Sequence, residues 1–181
     1  MLKVFLLLFL LAASGCASVP LSTMARLGSF DEADFASINP KEVLVQVQVP
    51  EEFTIDPEQT VLRVSVATTE TSVVRTFPLT FVGEEVASIP SGLFSSPLRV
   101  RRQTLKLSDL GRQLFSETQR ALNSAPIKQL KFNVSWKFSK LPASALSVRL
   151  WVNLQLSVKG GMFPLLKDVS IPFNRPAQSA G

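Results

Sequence analysis

Between Leu130 and Leu154 the chain alternates apolar and polar residues so regularly that it can only be built as sheet. Leu130, Phe132, Val134, Trp136 and Phe138 are interleaved with Lys131, Asn133, Ser135, Lys137 and Ser139. After a loop centred on Pro142, Leu146, Val148, Leu150, Val152 and Leu154 alternate with Ser147, Arg149, Trp151 and Asn153. A period of two puts all members of each apolar set on one face of a strand, whereas a helix would scatter them around its axis. An antiparallel hairpin is expected here. It would set Phe138 opposite Leu146, Trp136 opposite Val148, Val134 opposite Leu150 and Phe132 opposite Val152, so that every apolar side chain meets another.

The same period recurs upstream. Val43, Val45, Val47 and Val49 share one face, as do Leu62, Val64 and Val66, with Arg63 and Ser65 turned outward. The run from Val73 to Val82 is also strand-like, and Pro78 within it predicts an edge position or a bulge. Gly83, Pro90, Gly92 and Pro97 mark 83–97 as a long connection, followed by an extended segment from Leu98 to Leu107. After a turn at Gly160-Gly161, a last strand from Leu165 to Phe173 carries Val169, Ile171 and Phe173 on one side.

Two helices interrupt this pattern. Ser108 is a natural N-cap for a helix reaching about Asn123, with Leu110, Leu114, Phe115, Thr118, Ala121 and Leu122 as its stripe, Gly111 as a weak point and Pro126 as its stop. Ser29 and Glu32 have capping-box spacing for a short helix from Phe30 to Ser37, ended by Asn39-Pro40 and docked through Phe30, Phe35 and Ile38. The expected fold is mainly β, an antiparallel sandwich or curved sheet of about seven strands with one amphipathic helix. The alternative is an α+β roll with the helix packed on a single antiparallel sheet.

Composition excludes more chemistry than it suggests. The chain has no histidine, one cysteine and no tyrosine, against 13 phenylalanines. Ser-His and Cys-His nucleophiles are therefore excluded, no intramolecular disulfide can form, and the aromatic content is mostly core material without polar handles. The formal charge of +5 is mild. Acidic groups at Asp31/Glu32/Asp34, Glu51/Glu52 and Glu84/Glu85 sit where helix starts and turns ordinarily place carboxylates, and none has calcium-loop spacing. No zinc, phosphate-cradle or nucleophile-elbow motif is present, so no cofactor, metal or catalytic residue is expected.

Two surface groups are candidate contacts. Arg99, Arg101 and Arg102 form the densest basic run, readable as a contact for an anionic partner or as charge keeping an edge strand soluble. Trp151, with Lys131 and Arg149 on the polar face of the expected hairpin, is a candidate partner or ligand contact, or a tryptophan covered by a loop.

The N-terminus supplies an address. Lys3 is followed by an apolar run from Val4 to Ala13 and the small residues Ala13-Ser14-Gly15 before Cys16. This order resembles the lipobox of a bacterial lipoprotein signal peptide, with Ala13 where leucine is commonest. The resemblance implies that 1–15 is a signal peptide removed before Cys16, and that Cys16 receives diacylglycerol and an N-acyl group such as palmitate. The mature lipoprotein would then be anchored on the periplasmic face of the outer membrane, since Ala17 and Ser18 lack the aspartate that favours the inner membrane, with the periplasmic face of the inner membrane as the alternative. Residues 16–41 would form the lipidated N-terminus, tether and docking helix, 42–174 a single β-rich domain and 175–181 a flexible tail. The segment from Leu21-Ser22-Thr23-Met24 through Phe30-Asp31 to Asn39-Pro40 is also similar to a group of uncharacterised proteobacterial envelope lipoproteins, which brings no activity with it. Three functions are open on these grounds. They are an accessory lipoprotein with an envelope protein partner, a binder of lipid acyl chains or lipopolysaccharide, and a carboxylate-dependent enzyme. Nucleic acid is not an expected partner of an exported chain.

Overall fold

The computed structural model describes residues 19–68, 72–90, 96–122 and 127–173. Seven antiparallel strands form one sheet in the order β5-β2-β3-β4-β1-β6-β7. These strands are β1 (Leu44–Pro50), β2 (Thr54–Thr68), β3 (Ser72–Ile89), β4 (Leu98–Leu107), β5 (Ile127–Lys140), β6 (Ser147–Gln155) and β7 (Met162–Pro172). Helices α1 (Leu21–Gly28) and α2 (Glu32–Ser37) precede them, and α3 (Asp109–Leu122) joins β4 to β5. The mainly β expectation holds, with a curved, nearly closed sheet as its form.

Curvature follows from burial. Val43, Val45, Val47 and Val49 are all buried, as are Leu62, Val64 and Val66. Both sets join one core with Phe132 and Val134 of β5 and with Val148, Leu150, Val152 and Leu154 of β6. That core takes in both ends of the sheet, so the sheet must curl until β5 faces β6 and β7 across the interior. Where the two ends meet, Phe138 of β5 lies 5.8 Å from Phe173 in an edge-on contact, and Phe53 packs on both rings.

The expected hairpin does not form. β5 pairs with β2, with Phe132 opposite Val64 and Val134 opposite Leu62, while β6 lies between β1 and β7. Alternation predicts the buried face correctly from Leu130 to Phe138 and from Val148 to Leu154, but Leu146 is exposed. The physical reason is that a period of two specifies a face and leaves the neighbour open. The two apolar faces do confront each other, across the core rather than along a hydrogen-bonded ladder.

Pro78 lies in an interior strand, not at an edge. Residues 72–78 of β3 pair with β2, and 79–89 pair with β4, so the proline stands where the strand passes from one neighbour to the other. The bulge expected near it falls instead between Phe81 and Gly83, and the long connection expected from residue 83 is strand up to Ile89.

The Pro78 carbonyl accepts the N–H of Ser108 at 3.0 Å, which fixes the start of α3 against β3. Ser108 caps the helix as expected, its hydroxyl accepting the Gly111 N–H at 3.0 Å. Leu110 and Ala121 are exposed rather than part of the buried stripe, and Phe115 carries the packing, with its ring about 5 Å from those of Phe35 and Phe77. The short helix begins later than expected. Asp31, not Ser29, is the N-cap of α2, in a reciprocal capping box with Asp34. Its docking residues Phe35 and Ile38 are buried, and the Gln119 amide of α3 donates to both of their carbonyls at 2.8 Å.

Gly111 is a close-approach residue rather than a weak point, because a Cβ there would overlap the Pro78 carbonyl oxygen. Gly111→Ala should therefore cost about 1–3 kcal/mol, as overpacking does, despite alanine's better helix propensity. A fall in the urea midpoint checks this, and an unchanged or raised midpoint would contradict the contact.

Candidate functional site

The sheet ends in two edges, β5 and β7, that no further described strand covers. α1 lies over the seam between them. Its side chains hold it to the β7 side. The buried Thr23 hydroxyl donates to the Pro164 carbonyl, and Arg26 donates to the Gly160 carbonyl at 3.2 Å with its guanidinium 4.3 Å from the Phe163 ring. Leu27 and Phe30 reach the core, and the Phe30 ring meets Phe132 of β5 edge-on at 6.1 Å.

Beneath α1 the seam holds a partly open cavity of about 790 Å³. One wall is Phe132, Val134 and Trp136 of β5, and the other is Val152 of β6 with Leu165 and Leu166 of β7. Met24 and Leu27 roof it. Its charged lining residues are Lys128 and Lys131, both exposed and neither in an ion pair among the described residues. This size falls within the roughly 300–1,000 Å³ of small-molecule sites. A mainly apolar lining, with Thr23, Gln129 and Asn133 as its uncharged polar side chains and two lysines, suits a hydrocarbon chain bearing an anionic head.

α1 was hidden in the segment that reads as a tether. Pro20 at its N-cap has no side-chain cap, and its few apolar residues do not form a long stripe. The available signal was the spacing of Thr23 and Leu27, one turn apart, ahead of Gly28.

The expected grouping of Lys131, Arg149 and Trp151 separates. Lys131 stands at the cavity rim on β5, whereas Trp151 of β6 lies opposite Gln48 of β1. Arg149 lies 5.3 Å from the Trp151 ring and donates twice to Asp168, both at 2.7 Å. Asp168 has a φ of 56°, within a break in the register between β6 and β7.

Arg99, Arg101 and Arg102 are not on an edge strand, since β4 runs between β3 and β1. Arg99 pairs with Glu51, Arg101 with Glu84 and Arg102 with Glu85. These carboxylates offset the basic run locally. The expected signal peptide 1–15, Cys16, Gly92 of the expected connection, the expected helix end at Asn123 with its stop at Pro126, and 174–181 lie outside the described residues. Among the described residues, no three His, Cys, Asp or Glu side chains converge as a metal site requires, and no helix is long and apolar enough to cross a membrane. Comparison with known protein families, curated proteins and solved structures finds no match for this chain.

The hydrogen bonds from Arg149 are the main cause holding the Asp168 carboxyl below its ordinary value, partly opposed by burial. A lowered carboxylate pKa contributes stability that is present above the unfolded value of 3.8 and lost as pH falls through the folded value. Because the pair is partly exposed, its contribution should stay below about 1 kcal/mol. Asp168→Asn, which tolerates positive φ, should lower the urea midpoint slightly at neutral pH and match the parent protein in acid. A difference that persisted at low pH would contradict this assignment.

Proposed function

We propose that this protein is a non-enzymatic envelope lipoprotein, anchored through acyl groups on Cys16, that binds a lipid acyl chain between the seam of its sheet and α1. The cavity under α1 carries this reading, since its walls are mainly apolar and its charged lining residues are both lysines. Each methylene moved from water into such a site contributes about 0.8 kcal/mol, so a chain of ordinary length would bind without a dense polar network. The lipobox-like segment supplies the outer-membrane, periplasm-facing location.

A second reading is an accessory subunit with a protein partner. It is favoured by Phe81, Val82 and Val86, which are exposed within a few residues of one another along β3. Apolar side chains grouped on a surface mark interaction sites more often than single ones do.

Trp136 lines the cavity and Trp151 does not. In a Cys16→Ser, Trp151→Phe protein, a brominated fatty acid should quench Trp136 saturably, and Lys131→Gln should weaken binding severalfold. In a Cys16→Ser, Trp136→Phe protein, Trp151 should not be quenched. Absence of saturable Trp136 quenching would reject the acyl-chain site. Separately, Cys16→Ala should abolish palmitate labelling in cells and release the protein from membranes.

A further inference from the structure

Val19, the first described residue, already lines the cavity. Cys16 precedes it by three positions. At about 3.3–3.6 Å per residue, the anchored cysteine cannot lie more than roughly 11 Å along the chain from that wall. Any acyl group on Cys16 is therefore delivered to the cavity at the high effective concentration of a short link.

We propose that one acyl chain of the protein's own Cys16 anchor occupies this cavity and must be displaced by a lipid ligand. The inference rests on the acyl-binding lipoprotein reading above and adds a means of regulating that site. Two features favour the anchor chain as occupant. The external hydrogen bonds of the α1 side chains run to Pro164 and Gly160, so the helix can stay attached on the β7 side while a chain enters along β5. Stable anchoring needs about two acyl chains. The lipobox resemblance implies three, which leaves one able to exchange between bilayer and cavity.

The test compares lipidated Trp151→Phe protein in phosphatidylcholine vesicles with Cys16→Ser, Trp151→Phe protein mixed with the same vesicles, each titrated with the brominated fatty acid. The lipidated form should bind the probe at least about tenfold more weakly. Inserting about twelve Gly/Ser residues between Ser18 and Val19 lengthens the link about fivefold, and the effective concentration should fall by about tenfold, restoring binding. Equal binding by lipidated and Cys16→Ser proteins would overturn the proposal while leaving the acyl site intact. Weakened binding that the insertion did not relieve would also overturn it, since the block would then come from the bilayer. No binding by the Cys16→Ser protein would reject the acyl site itself.

Discussion

Among the described strands β1, β2, β5, β6 and β7 each turn buried apolar residues toward one core, to which β3 and β4 add Phe77 and Leu107, and the molecule depends on closing that core without hydrogen-bonding the two ends of the sheet together. Curling brings β5 opposite β6 and β7, and the rings of Phe53, Phe138 and Phe173 close one part of the seam. The rest of the seam is left to α1.

The passage of β3 between two neighbours makes the curl feasible. Up to Pro78 it pairs with β2 and beyond Pro78 with β4. The residue that ends one ladder also starts α3 through its carbonyl, and α3 in turn holds α2 through Gln119. The order of these contacts links the centre of the sheet to the N-terminal segment, and that segment ends at the seam. Charge is handled locally by contrast. The arginines of β4 and the Arg149–Asp168 pair meet carboxylates close by.

Much of the fold was legible in the sequence because burial is a property of single strands. The valines at 43, 45, 47 and 49, the set at 62, 64 and 66, and the alternation from Leu130 all mark the faces that are buried. Pairing was not legible. Phe132 satisfies its apolar contact equally well opposite Val152 in a hairpin or opposite Val64 in β2, and only the closing of the whole sheet distinguishes them. The candidate site was less legible still. Lys131 stands out in the alternating pattern, but Arg149 and Trp151, its companions there, belong to another surface, and α1 has no capping side chain to announce it.

The sequence by itself therefore determined the β class, the buried face of most strands, the amphipathic helix at Ser108 and the absence of histidine chemistry, since each depends on local period or composition. Tertiary structure decided strand order, the role of Gly111 and Pro78, and the cavity under α1. These depend on which distant segments approach one another, and period-two side chains carry no information about that choice.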